Sequence, residues 1–348
     1  LLVRIALDAT YSLGENLSGV GVYSREIIAG LAAAHPEAEL LLCYRPHRFL
    51  RSFSERLPHN CRRRLLHEPF GPRSAALFHG MNQRLPKLRL RRAVSTFHDL
   101  FVLTGDYSTP EFRRRFEAQA RDAAARSDLV ITVSEFTASQ VEQLLGVERS
   151  RLRVVHHGVK VPAMPAQPAA RRNVVLHVGA IQKRKNISRL VKAFAALPPG
   201  WRLILAGSFG YGADEILREI ENSPRRADII LPGYVSEAEL ASLYAQASIF
   251  AFPSLDEGFG MPVLEAMAWG IPVLTSNRSA LPEVSGGAAM LVDPFDVDAI
   301  AAGLVELASN EDLREELRNR GKARVACFSW ENAASRTWSA YLELLNRH

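Results

Sequence analysis

Two carboxylates, Glu257 and Glu265, stand eight positions apart, with Gly258, Gly260 and Pro262 between them. Glycine lets a backbone close on a bulky ligand, and proline near the first position of a helix forfeits no hydrogen bond. The first turn of such a helix offers unpaired N–H groups and the positive end of a dipole, a setting that suits phosphate. Glu257 would precede the helix and Glu265 would lie roughly one turn inside it. Such a pair can hold two ends of one ligand, such as the hydroxyls of two sugars flanking a diphosphate. The bland alternative is an ordinary glycine-rich turn of an α/β protein with exposed glutamates.

Other residues could act on the same ligand. The loop Gly179-Ala-Ile-Gln-Lys-Arg-Lys-Asn-Ile187 brings Lys183, Arg184 and Lys185 together. Fixed cations stabilise a departing diphosphate more in the transition state than in the ground state, although a solvated basic loop would read alike. Ser18-Gly-Val-Gly-Val-Tyr23 offers Gly19 and Gly21 for close approach to an anion, but it is only half of a dinucleotide fingerprint. His98 and Asp99 are adjacent after an apolar run; a lone histidine is more often a satisfied core residue than a catalyst. Asp296-Val-Asp298 looks like a metal-binding Asp-x-Asp, yet it follows Pro294 and opens a helix, so capping explains it better. No His/Cys/Asp spacing suggests a metal, and metal-independent chemistry is expected.

These residues need elements to place them. Short apolar runs alternate with helical patterns, as in βαβ units. Strands are expected at Val3–Leu7, Leu40–Tyr44, Ala76–His79, Ala93–Thr96, Leu129–Val133 and Arg153–His156, then at Val174–Val178, Arg202–Ala206, Ile229–Leu231, Ile249–Phe252, Pro272–Thr275 and Ala289–Val292. The helices that matter most are Val22–Ala34, after the first strand, and Pro262–Ala268, which follows Glu257 and contains Glu265. Three prolines within Pro162–Pro168 read as a linker. The expected division is a first domain over 1–162, a linker over 163–172, a second domain over 173–329 and a terminal helix over 330–348. In doubly wound α/β domains ligands bind at the carboxyl ends of the strands.

The longer string from Pro253 to Val273, Pro-Ser-Leu-Asp-Glu-Gly-Phe-Gly-Met-Pro-Val-Leu-Glu-Ala-Met-Ala-Trp-Gly-Ile-Pro-Val, resembles the nucleotide-sugar signature of retaining glycosyltransferases of family 4. The resemblance extends to Arg184-Lys185-Asn186, Thr96-Phe-His-Asp-Leu100, the Gly19/Gly21 loop and Pro232-Gly-Tyr-Val235. It implies the GT-B architecture, an α/β fold of two doubly wound Rossmann-like domains facing a central cleft, with the terminal helix crossing back to the first domain. It also implies transfer of a sugar, with retention, from a nucleotide-diphosphate donor to a glycan or lipid-linked acceptor. In that scheme Glu257 and the amides of Gly258, Phe259 and Gly260 hold donor-sugar hydroxyls. Main-chain groups of Met261 and Val263, with Arg184 and Lys185, hold the diphosphate. Glu265 holds the ribose, Val235 contacts the base through its backbone, Gly19 and Gly21 close over the donor, and His98 lies near the reacting carbon. Many relatives carry Arg or Thr where this chain has Ala180, which leaves more of the phosphate work to Lys185. The segment Ser279-Ala-Leu-Pro-Glu-Val284 resembles one frequent in mannosyltransferase-like members, so GDP-mannose is favoured over a UDP-sugar and Glu283 is a further candidate ligand. No cofactor beyond the donor substrate is implied.

The charge of +6 is uneven. Residues 1–162 carry 24 Lys and Arg against 16 Asp and Glu, a net of +8, while the remainder carries −2. Anionic membrane is a candidate partner, because Phe49, Leu50 and Phe53 interleave with arginines; a solvated face is the alternative. Nucleic acid is disfavoured for want of any accompanying motif. Three scattered cysteines form no disulfide framework, and Leu1–Asp8 reads as a core strand and not as a signal peptide. The expected location is the cytoplasm, with peripheral contact at the inner face of a membrane. Two other readings stay open: an epimerase or hydrolase of nucleotide sugars on the same fold, and a non-catalytic assembly partner.

Overall fold

In the computed structural model, which describes residues 3–15, 17–68, 71–162 and 171–346, the apolar runs become parallel strands of two sheets. The first sheet contains β1 (Arg4–Asp8), β2 (Glu39–Tyr44), β3 (Cys61–Leu65), β4 (Leu77–Gly80), β5 (Ala93–Phe97), β6 (Leu129–Thr132) and β7 (Leu152–Val154). Its order is β3-β2-β1-β4-β5-β6-β7. The second contains β8 (Val174–Val178), β9 (Arg202–Ala206), β10 (Ile229–Gly233), β11 (Ile249–Phe252), β12 (Val273–Ser276) and β13 (Met290–Val292), in the order β10-β9-β8-β11-β12-β13. Helices cover both faces of such sheets, so the central strands read as unbroken apolar runs; β4, β5, β6, β11 and β12 are buried at every residue. In each sheet the order reverses once, between β1 and β4 and between β8 and β11.

The chain sorts into two compact units. One takes the chain through Leu103, then Thr109–Gly158 and the segment from Phe328 onward. The other takes Val159–Cys327 together with Thr104–Ser108. The proline-rich stretch expected as a linker lies outside the described residues over 163–170.

The first unit's core is stitched to the helix Trp330–Leu345 by a buried polar chain. Tyr341 and Thr96 each bond to a ring nitrogen of His79, at 2.6 and 2.8 Å, and the Tyr23 hydroxyl reaches Thr96 at 2.9 Å. Every member has a partner, so the network carries little desolvation penalty. Gly158 lets the chain pass against this helix: a Cβ there would sit 2.3 Å from the Trp330 nitrogen.

One strand was not expected. Cys61–Leu65 contains Arg62, Arg63 and Arg64, which read as a basic surface cluster, yet it pairs along its whole length with β2. Only an edge strand can expose so much charge, and charge on an edge discourages strand addition. Arg63 turns inward, donating from Nε to the Ser52 carbonyl at 3.0 Å and lying over the Phe53 ring. The helix expected over Val22–Ala34 starts a turn earlier, at Gly19, with Ser18 as its cap.

Candidate active site

The second unit builds its site at the strand-order reversal. The loop after β8 supplies Arg184 and Lys185; the loop after β11 supplies Asp256 and Glu257. Lys185 Nζ lies 2.6 Å from Glu257 Oε1, and Arg184 Nη1 lies 2.8 Å from Glu257 Oε2. Lys185 also sits 4.5 Å from the centroid of the Phe252 ring, at the end of β11. All three charged groups are less than a tenth exposed. Asn186 ties the two loops together. It adopts a left-handed conformation (φ 60°), and its Nδ2 donates to the Pro253 and Pro294 carbonyls at 3.0 and 2.6 Å.

Glu257 is fixed through its backbone as well. Its N–H donates to Ser279 Oγ at 3.1 Å, and its carbonyl accepts from Ala280 N–H at 3.2 Å. Ser279 holds φ at 56°, a conformation that L-residues adopt at a cost. Nothing in the residue pattern singles this serine out beyond its place in the Ser279–Val284 segment. Gly260, at φ 104°, caps the helix Met261–Ala268, and a Cβ there would lie 2.7 Å from Leu281 Cδ2. Gly258 and Phe259 are buried in the turn before it. At Val263, whose main chain was expected to help hold the diphosphate, the amide donates to the Gly260 carbonyl at 3.0 Å.

The two glutamates sit in opposite electrostatic settings. Burial pushes the Glu257 carboxyl up, but Arg184 and Lys185 outweigh it and hold the group at about 2. Burial raises Glu265, against a hydrogen bond of 2.9 Å from the Tyr244 hydroxyl. Tyr244, on the helix Glu237–Gln246, stacks on Trp269. This tyrosine was not singled out from the sequence, where a helical aromatic reads as core. Val235 lies half-buried between β10 and that helix.

The sign of the Glu257 shift makes acid behaviour testable. A depressed folded-state value stabilises the fold fully above the unfolded value, here 4.5, and the contribution fades as pH falls toward about 2. The melting-point gap between wild type and Glu257→Gln should therefore close between those limits. A gap that stays constant down to pH 2 in thermal melts would contradict the ion-paired state.

Arg184 also donates to the Asp256 carbonyl oxygen. The Asp256 carboxylate accepts from Thr104 Oγ1 at 2.6 Å, and Asp106 pairs with Lys183 at 3.2 Å. These contacts of Thr104–Ser108 had no counterpart in the sequence reading. Asp296 accepts from the amides of Asp298 and Ala299, so it caps the helix Val297–Ser309.

His98, Gly19 and Gly21 belong to the first unit. His98 Nε2 donates to the Met81 carbonyl at 2.9 Å, its ring stacks on His157 and meets the Tyr23 ring edge-on. Burial lowers His98 to about 4 against that hydrogen bond, so the ring is neutral at ordinary pH and Nδ1 is its acceptor. Gly21 approaches the Tyr11 carbonyl, where a Cβ would lie at 2.8 Å, and its amide is capped by Ser18.

What the second unit can do follows from this geometry. It holds two cations, oriented before any ligand arrives, at the point in a doubly wound sheet where ligands bind. Known proteins resemble this chain in sequence and in fold. Residues 164–324 match the family model described as glycosyl transferases group 1, and residues 17–161 match glycosyltransferase family 4. O-antigen chain mannosyltransferase B of Escherichia coli is 34% identical, over 96% of this chain and 98% of its own. Sucrose-phosphate synthase from Thermosynechococcus elongatus has a similar structure, with a TM-score of 0.79 at 21% identity, over 99% of this chain and 100% of that one. HepE of Anabaena, in complex with UDP and glucose, gives 0.76 at 16% identity, over 98% and 100%. The structural likenesses establish the GT-B fold. With models matching both halves and a mannosyltransferase similar along nearly its whole length, the chain belongs to the family 4 glycosyltransferases as a mannosyltransferase-like member.

Proposed function

We propose that this enzyme transfers mannose from GDP-mannose to a hydroxyl of a glycan or lipid-linked glycan, with retention and without a metal. The ion-paired cluster of Lys185, Arg184 and Glu257 at the β8/β11 reversal is the main support. A diphosphate arriving there meets cations that need no reorganisation, which is the condition for electrostatic catalysis. Lys185 and Arg184 take the charge that develops on the leaving phosphate. The acceptor oxygen bonds to the anomeric carbon on the face from which the diphosphate departs, and a phosphate oxygen receives the hydroxyl proton. Glu257, with the backbone of Gly258, Phe259 and Gly260, orients the sugar. His98, being neutral, hydrogen-bonds near the anomeric carbon without repelling its positive charge. Residues 1–162 serve the acceptor and 173–329 the donor, with the main chain at Met261 and Val235 completing the donor contacts and Gly19 and Gly21 closing over them.

Glu265 binds the ribose diol in this scheme. Glu265→Ala should weaken GDP binding by about ten- to a hundredfold while changing turnover less, because it removes two charge-assisted hydrogen bonds. Calorimetry giving wild-type affinity would exclude the ribose assignment. A thermal-shift panel of GDP-, UDP- and ADP-sugars tests the donor itself, since a ligand that binds only the native state raises its melting point. The GDP-sugar should give the largest rise; a rise confined to UDP-sugars would replace the base.

The enzyme works in the cytoplasm with its basic first unit against anionic lipid. Leu50 and Phe53, exposed at 81% and 61%, support this placement, and no helix among the described residues is long and apolar enough to cross a membrane. Sedimentation with phosphatidylglycerol vesicles at low salt, lost on Leu50→Glu, is the expected result.

A further inference from the structure

The helix Trp330–Leu345 backs His98 by two routes, both inside the first unit. In the first, the Tyr341 hydroxyl bonds to His79 Nδ1, His79 Nε2 bonds to Thr96 Oγ1, and Thr96 bonds to the Tyr23 hydroxyl. The Tyr23 ring then meets the His98 ring edge-on, with centroids 4.7 Å apart. In the second, Trp330 lies 5.8 Å from His157 between centroids, and His157 stacks on His98 at 5.4 Å. Trp330 and Tyr341 are about three turns apart along the helix, so one face of it carries both contacts.

The two strands that end at His98 and Met81 are pinned by the same network. β4 and β5 are parallel neighbours, with His79 opposite Val94 and Gly80 opposite Ser95. His79 stands two residues before Met81, whose carbonyl accepts from His98 Nε2, and Thr96 stands two residues before His98. The His79–Thr96 bond therefore joins the two chains one step below the His98–Met81 bond. Tyr23 touches both levels, its hydroxyl on the lower and its ring on the upper.

A single hydrogen bond fixes one atom of an imidazole, while the plane of the ring is set by what packs on it. Met81 fixes Nε2, and the Tyr23 edge and the His157 face fix the plane, so the Nδ1 lone pair has one direction. Burial, with His98 nearby, lowers His79 to about 3, so every link of the first route joins neutral groups and depends on hydrogen-bond geometry alone. Tyr23, His79, Thr96, His157, Trp330 and Tyr341 are buried, while His98 keeps part of its surface open, as a group that must touch a ligand requires.

We infer that Tyr341 is a positioning residue for His98, acting through His79, Thr96 and Tyr23, so that the terminal helix aims a group of the reacting centre as well as bracing the fold. The inference rests on the role given to His98 above and adds the residues that hold it in place.

The test uses the full chain, with GDP-mannose as donor and α-mannotriose as acceptor. Tyr341→Phe keeps the ring and removes the hydroxyl. It should lower turnover about five- to twentyfold and leave the Michaelis constant for GDP-mannose within about twofold, since misaligning a reacting group acts on the chemical step. In a His98→Asn background the same change should lower turnover by less than about twofold, because both substitutions act on one group. Thr96→Val, close to isosteric, should repeat the loss, and Thr96→Ser, which keeps a hydroxyl, should restore most of it. Nitrogen-15 NMR of histidine-labelled protein reads the ring without any reaction: wild-type His98 should show one tautomer, protonated at Nε2, and Tyr341→Phe should turn that signal into an exchange-broadened mixture. Equal losses from Tyr341→Phe with and without His98, or a His98 signal unmoved by both Tyr341→Phe and Thr96→Val, would overturn the inference. Wild-type turnover in His98→Asn would instead overturn the role given to His98; a signal that still responds to Tyr341→Phe tells that failure apart and leaves the positioning contact standing.

Discussion

Replacing Lys185 by alanine should cut turnover by about a hundred- to a thousandfold, the usual loss when one preorganised charge stabiliser is removed from a reacting centre. The ammonium group is held between the Glu257 carboxylate and the Phe252 ring, so in the proposed reaction it is already aimed when the diphosphate arrives. The loss should fall on turnover more than on the Michaelis constant, because the stabilised charge grows only as the glycosidic bond breaks. Arg184 still pairs with Glu257 in the variant, which preserves one buried ion pair and favours retention of the fold. A radiolabelled transfer assay reads the effect directly. Turnover within a factor of about three of wild type would remove Lys185 from the chemistry.

Glu257→Gln should have the largest effect on stability. It leaves two buried cations without their shared carboxylate, a change that costs about 3–5 kcal/mol when a buried pair is broken from one side. For a domain of this size that corresponds to a fall of roughly 10 °C in melting temperature. Nucleotide should restore part of it, since the diphosphate supplies the missing negative charge. The GDP-induced rise in melting point should therefore be greater in the variant than in wild type. A variant that melts like wild type, or gains less from GDP, would show that Glu257 is not the counter-ion of these cations.

The fold was legible where burial writes itself into sequence. β8, β9 and β11 occupy Val174–Val178, Arg202–Ala206 and Ile249–Phe252 as the apolar runs indicated. β3 was missed because an edge strand needs few buried residues; Cys61 is buried while Arg62, Arg64 and Leu65 face solvent. The candidate site was legible as two separate motifs and not as one object. Nothing local to Arg184-Lys185 or to Glu257 announces an ion pair across 72 residues, because strand order, not sequence spacing, brings the β8 and β11 loops side by side. Partners such as Tyr244 for Glu265 and Ser279 for the Glu257 amide were hidden for the same reason. Their residue types have ordinary structural uses, and only tertiary placement gives them another.

The five-residue passage of Thr104–Ser108 into the second unit bears on how such enzymes can be recombined. A chimera made by exchanging halves at the proline-rich stretch would separate Thr104 from Asp256 and Asp106 from Lys183 by parentage. It would also match the segment from Phe328 with a foreign Tyr23–Thr96–His79 network. Graft boundaries that respect these contacts need four crossovers, so the two units of this chain are harder to exchange than a two-part architecture suggests.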